Sequence, residues 1–415
     1  MKKFKLTFNI LRNIILVFLI FILGIVVGNK YSDNLSFINP QTKKIDFKVT
    51  NFTAPSDKED VNFGRFWEVW GILATDFIDQ EKVVDEKMVD GAISGMTASL
   101  GDPYTIYLPP EDDKRAAESL AGAFYGVGIE LGYIEKTVAV VAPLKGMPAE
   151  LAGVKAGDLI IHVKDELSGL DEDTTDWTLQ DAVNNIRGER GTTVTLTLFR
   201  PEEKVEPIEI SIVRDQILIP SVELSFVEHN SKRVGLVSLS RFGERTNEEW
   251  DSVVTEILSQ KPEVSGILLD MRNNPGGFFD GAIDIASEFI DNDVVVSQQG
   301  KFSKHDYKTK GKARLKDMPL LVLVNRGSAS ASEIVAGALR DDLGIKLIGE
   351  KTFGKGTVQD RRELSGGGGL HVTVAKWILP GGDWIHKEGL SVDVEVKDDA
   401  TTEEDEVVFK AIEVL

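Results

Sequence analysis

The chain has 415 residues, enough at roughly 150 residues per domain for two or three domains and too long for one small one. Its 47 Lys+Arg against 67 Asp+Glu give a net charge of -20, which argues against nucleic acid as a partner, because phosphate binding needs a basic surface. With no cysteine and five scattered histidines lacking HExxH or HxH spacing, no thiol nucleophile or disulfide forms, and neither a catalytic metal nor another cofactor is expected.

In chain order, Lys2, Lys3, Lys5 and Arg12 precede an uncharged apolar run, residues 13–28. These 16 residues span about 24 Å as a helix, against a hydrocarbon core of about 30 Å. No A-x-A site follows, so residues 1–30 read as an uncleaved signal anchor, with a cleaved export signal as the alternative; the basic end is cytoplasmic and the remainder extracytoplasmic, in a periplasm or at the cell exterior. Residues 31–60 are a polar tether. Apolar residues at helical spacing (Phe66, Val69, Trp70, Leu73; Met88, Ile93, Met96, Leu100) predict two helices in an N-terminal helical segment, 61–118, broken at Gly101-Asp102-Pro103.

Residues 119–215 change to short β-rich runs (VAVVAP, LIIHV, TVTLTLFR) and form a small separate domain. Within it, Gly126-Val127-Gly128-Ile129 is a turn entering a strand, where backbone N–H groups can converge on a carboxylate. A short helix at PAELAG, a turn, a strand at DLII and a second helix over 179–186 follow. Together these resemble a PDZ domain. The resemblance implies that a peptide adds as a strand beyond Gly128, its terminal carboxylate at the glycine turn and its last, apolar side chain in a pocket. The acidic stretch from Asp165 to Asp176 is longer than usual for such a domain and lacks calcium-loop spacing, so a solvated loop is expected.

From 216 to 400, strands such as RVGLVSL, GILLDM and PLLVLVN alternate with helical stretches, the pattern of an α/β core; 401–415 reads as an acidic start and a short amphipathic helix. The run PLLVLVNRGSASASEIVAGALRDD passes from a buried strand through a small-residue turn into a helix, with Ser328, Ser330 and Ser332 near its start. Free N–H groups and the helix dipole there favour the oxyanion of acyl transfer. A helix N-cap is the ordinary role for such a serine. A nucleophile needs a base, and Lys355 lies between glycines in GEKTFGKGTVQ. If GTVQ is a strand, Lys355, Thr357 and Gln359 share a face, and Gln359 can hold the lysine amine without adding charge. A lysine base must be neutral, which burial promotes, and Glu333 is the carboxylate best placed to oppose it. The glycines of LDMRNNPGG offer further oxyanion donors.

The three motifs LDMRNNPGG, NRGSASASEI and GEKTFGKGTVQ, in that order, closely resemble the carboxyl-terminal processing peptidases, or tail-specific proteases, over about 63–396. The resemblance implies an α/β multidomain serine peptidase with a Ser/Lys dyad and an embedded PDZ domain. It makes Ser330 the nucleophile, Lys355 its general base, Gln359 an orienting group and Glu333 a support. Gly276 and the N–H of Ala331 become the oxyanion donors, and Arg187 a link between PDZ position and activity. Protein substrates with apolar C-termini are the implied partners; a homodimer and an activating adaptor stay open. Two departures touch loops only: GLSVD at 389–393 where the family carries Gly-Ile-x-Pro-Asp, and a glycine cluster at 365–369. A PDZ adaptor that binds tails without cutting is the alternative function. A Ser-His-Asp hydrolase is disfavoured because no G-x-S-x-G occurs.

Overall fold

The computed structural model describes residues 35–36, 48–49, 61–201, 206–261, 263–398, 402 and 404–415. The apolar run at 13–28 and most of the tether lie outside the described residues; among those described, no helix is long and apolar enough to cross a membrane. The chain divides into two units between Met88 and Val89.

In the first unit, β1 (Leu35–Ser36) and β2 (Lys48–Val49) pair antiparallel. Helix α1 (Gly64–Asp76) follows, then a 3-10 turn at Gln80–Lys82 and the start of α2 (Asp85–Ala98). The periodicity that predicts α1 comes from residues it does not bury: no side chain of α1 is inaccessible, and the rings of Phe66, Trp67 and Trp70 pack on one another.

In the second unit, β3 (Ile106–Leu108) and α3 (Pro110–Ala121) lead to a PDZ-like domain. Its elements are β4 (Ala123–Gly126), β5 (Ile129–Ile134), β6 (Thr137–Pro143), α4 (Pro148–Leu151), β7 (Leu159–Asp165), β8 (Leu170–Asp173), α5 (Leu179–Ile186), β9 (Thr193–Phe199) and β10 (Ile208–Val213). The strand order is β10-β9-β7-β6-β5, with β8 on β7, so β5 is an edge. Strict alternation puts Val194, Leu196 and Leu198 of β9 into the core. Thr178 and Asp181 close a reciprocal capping box that starts α5.

The acidic stretch is not simply a solvated loop. Its first residue, Asp165, is buried 2.8 Å from the buried guanidinium of Arg214, which also donates to Ile186 O and Thr192 Oγ1. A buried cation requires such partners. Asp171 to Asp173 continue as β8 in a hairpin with β7.

The chain leaves the PDZ-like domain through β11 (Asp215–Leu218), which pairs antiparallel with β4. The core then carries β12 (Val222–His229), β13 (Lys232–Leu239), α6 (Thr246–Ser259), β14 (Gly266–Asp270), α7 (Phe279–Ala286), β15 (Val294–Gly300) and β16 (Lys304–Lys308). After these come β17 (Leu320–Val324), α8 (Ala331–Leu343), β18 (Leu347–Gly349), β19 (Thr357–Glu363), β20 (Gly369–Ile378), β21 (Val394–Glu395) and α9 (Glu406–Val414). One sheet runs β12-β13-β14-β17-β18-β21 and is parallel from β13 onward. Covered on both faces, β14 and β17 read as continuous apolar runs. The second sheet is β16-β15-β20-β19, with β3 added to β20. Residues 106–108 therefore belong to a sheet of the core, which the expected helical segment 61–118 did not include; three residues carry too little periodicity to announce a strand.

Candidate active site

The turn between β17 and α8 separates the three serines. Ser328 and Ser332 are buried and committed: Ser328 Oγ donates to Met271 O at 2.7 Å and Ser332 Oγ to Asn274 O at 3.0 Å. Ser330 is half-buried, at φ 56° and ψ -115°. An N-cap residue normally takes an extended backbone, so a serine in this strained region is held by its surroundings. Ala331, first in α8, has a backbone N–H without an intrahelical acceptor.

Glu333 is the hub of the surroundings. Its carboxylate is buried and accepts four hydrogen bonds: Oε1 from Thr352 Oγ1 (2.6 Å) and the Gly354 N–H (2.7 Å), Oε2 from the Ser330 and Lys355 N–H groups, both at 2.9 Å. Burial raises its pKa above the usual carboxylate range, and these donors counter that rise. One side chain thus ties the serine turn to the lysine loop.

Lys355 precedes β19, and its ammonium lies over the Tyr104 ring, 5.2 Å from the centroid. Burial lowers its pKa below that of an ordinary lysine; Asp102 and then Glu333 pull the other way. The expected hydrogen bond from Gln359 to the amine is not made. Gln359 Nε2 donates instead to Thr357 Oγ1 at 2.9 Å and Thr373 Oγ1 at 3.1 Å, beside a register shift between Val358 and Gln359 that interrupts simple alternation.

Gly276 lies against the serine turn. At φ 101°, its hypothetical Cβ would stand 2.8 Å from Ser330 Cβ and 3.0 Å from the Ala331 nitrogen. Its own N–H, however, donates to Asn274 Oδ1 at 2.8 Å, so the expected oxyanion donor is engaged within its turn. An Asn two residues upstream readily makes such a local bond.

In the PDZ-like domain, Gly126 ends β4 opposite Asp215, and Val127 and Gly128 are buried. A side chain at Gly128, at φ 75°, would collide with Met147 Cβ at 2.5 Å. Ile129 opens the edge strand β5, and α5 packs against that strand. Arg187 closes α5 beside the start of this turn: a Cβ at Gly126 would stand 3.7 Å from Arg187 Cγ, and the guanidinium lies 4.0 Å over Phe124 and 3.7 Å from Glu118 of α3.

Asp102 and Tyr104 went unread as site residues, since GDP signals only a turn. Asp102 accepts from Thr105 Oγ1 (2.7 Å) and the Tyr104 N–H (3.1 Å). Burial opposes its ionisation, but bonds from Thr373, Thr105 and Tyr104 hold its pKa below the usual range. His386 packs on Tyr104 and stacks on Trp384, whose Nε1 donates to Gly356 O at 2.8 Å. Nothing local in the sequence links these residues to Lys355.

An α/β core with a strained serine at a helix start, a half-buried lysine with lowered pKa and an inserted PDZ-like domain define a serine-type peptidase. Comparison with known proteins agrees. Residues 233–396 match the model of peptidase family S41, 117–199 that of the PDZ domain, and 23–112 that of the activating protease CtpB N-terminal domain. The carboxy-terminal processing protease CtpB of Bacillus subtilis is 33% identical over 83% of this chain and 70% of its own length. CtpA of the same species is 36% identical over 81% and 70%. A solved Bacteroides fragilis structure assigned to the S41 proteases shares the fold, with a TM-score of 0.54 at 15% identity, covering 88% of this chain and 98% of that one. The chain belongs to the carboxy-terminal processing proteases of peptidase family S41.

Proposed function

We propose that the chain is a membrane-anchored endopeptidase that captures apolar C-termini of exported proteins in its PDZ domain (119–215) and cuts them near the C-terminus in its core (216–400). Residues 13–28 are the anchor, and the catalytic part is extracytoplasmic. Ser330 Oγ attacks the peptide carbonyl carbon while neutral Lys355 takes the hydroxyl proton. The tetrahedral oxyanion faces the Ala331 N–H, with Gly276 as the close wall that leaves it room. Lys355 returns the proton to the departing amine; it then deprotonates a water that hydrolyses the Ser330 ester. Gln359 orients the strand next to Lys355, and Glu333 holds both reacting residues. A substrate tail extends β5 beyond Gly128.

The observation that carries this reading is the shared Glu333 oxygen, which fixes the backbones of Ser330 and Lys355 relative to each other, together with the burial that favours the neutral amine. To test it, full-length protein in detergent, as wild type, Ser330→Ala and Lys355→Ala, is incubated with a loosely folded reporter ending in apolar residues, and intact mass is followed. Shortening by the wild type alone, slowed by amidating the reporter's terminal carboxylate, is the expected result. Binding of the tail without cleavage by any of the three would favour the adaptor function instead.

A further inference from the structure

Helix α3 touches both the PDZ-like domain and the strand that carries Gln359. At 100° per residue, Arg115 and Glu118 share one face and Asp113 lies on the opposite one. On the first face, Arg115 Nη1 donates to Asn184 Oδ1 of α5 at 3.0 Å, and Glu118 meets Arg187 at the end of α5. On the other, buried Asp113 receives a two-pronged contact from Arg361 of β19, Nε at 2.9 Å and Nη2 at 2.5 Å. Bidentate pairing of this kind fixes direction as well as distance. Arg361 follows Gln359 by two residues in the same strand.

The glycine cluster at the β19–β20 turn is shaped to this docking. A side chain at Gly367 would meet Pro110, one at Gly368 would lie 2.7 Å from Leu108 O, and one at Gly369 would overlap the Asp113 carboxylate. β3, which delivers the chain to α3, is itself paired with β20. Gly367 and Gly369 therefore lie against α3, and Gly368 against the strand that leads into it.

We infer that Asp113 is a positioning residue: through Arg361 it makes α3 a strut that passes the position of the PDZ helix α5 to β19, and so sets how strongly a bound tail promotes cleavage. This rests on the Ser330/Lys355 peptidase reading above, taken with the link between PDZ position and activity that the resemblance implies, and adds the element that conveys that link.

The test compares cleavage of the apolar-tailed reporter with that of its tail-amidated form by the full-length protein; their ratio is the tail stimulation. In Asp113→Asn and in Arg361→Gln the stimulation falls about tenfold, while cleavage of the amidated reporter and the Kd for a free tail peptide stay within about twofold of wild type. The double variant is no worse than either single one, as for two members of one link. A purely structural role would lower both cleavage rates and the melting temperature together. If Asp113→Asn fails to fold, Arg115→Ala with Asn184→Ala breaks the strut at its other face and gives the same selective loss. Stimulation that survives in all these variants overturns the inference while leaving the peptidase reading intact. A wild type that shows no tail stimulation overturns the gating reading and the strut together.

Discussion

Ser330 and Lys355 donate their backbone N–H groups to the same carboxylate oxygen, Glu333 Oε2, each over 2.9 Å. The reacting side chains take no part in these two bonds, which hold the two backbones to one oxygen. The serine turn and the lysine loop thus owe their relative placement to a third side chain.

Replacing Glu333 with Gln keeps the shape but turns one acceptor oxygen into a donor that faces N–H groups. At about 1.5–3 kcal/mol for a hydrogen bond to a charged group, losing one or two costs stability and splays the site. The expected outcome is a drop in kcat of about a hundredfold with KM nearly unchanged, measured on the tailed reporter. A Glu333→Gln enzyme with wild-type kcat would show that the shared oxygen is dispensable.

Activity should rise with pH as Lys355 loses its proton, with a midpoint below that of an ordinary lysine because the amine is buried. Asp102 raises the Lys355 pKa, so removing its charge in Asp102→Asn shifts the rising limb of the kcat/KM profile to lower pH. The same burial has a thermodynamic sign. A lysine with a depressed folded-state pKa leaves stability fully present above its unfolded value near 10.5 and lost as pH falls toward the folded one. Lys355→Met should therefore abolish cleavage while raising the Tm at pH 7, with the gain shrinking at pH 11. A Tm gain independent of pH would contradict this account.

Gly276→Ala places a Cβ where Ser330 Cβ and the Ala331 nitrogen leave no room, on a backbone at φ 101°. Folding should lose about 1–2 kcal/mol, and kcat/KM should fall at least about a hundredfold. Denaturant titration beside reporter kinetics separates the two. Activity close to wild type would remove Gly276 from the site.

Away from the site, Asp342 has a buried Oδ2 with no hydrogen-bond partner, and its pKa is pushed up to about 6 by burial, Asp293 and Asp341. A raised acid pKa leaves stability present below the unfolded value near 3.8 and lost as pH rises through about 6. Asp342→Asn should stabilise the core at pH 8 by about 1 kcal/mol, a figure discounted for solvent screening, and by almost nothing at pH 4. Equal effects at both pH values would assign the change to packing.

What the sequence made legible was local. The β17–α8 run announces its strand, its turn and the serine through contiguous residues, and the LQDAVNNI helix is bounded by its own cap. What escaped depends on chain segments meeting from afar. Asp102 beside Lys355 and Asp113 against Arg361 have no sequence neighbourhood in common, and Gln359 turned to Thr373 because of a register shift that no alternation pattern records. Gly276 lies against the serine turn, but its N–H is spent on Asn274, a detail of turn geometry rather than of residue type.

β4 and β11 lie side by side, and Ile219 N–H reaches back to Gly122 O at 3.0 Å. The PDZ domain is thus spliced in at a point where its entrance and exit coincide, like a cassette in a slot. Such an arrangement lets evolution, or an engineer, exchange the PDZ domain for another without rethreading the peptidase core around it.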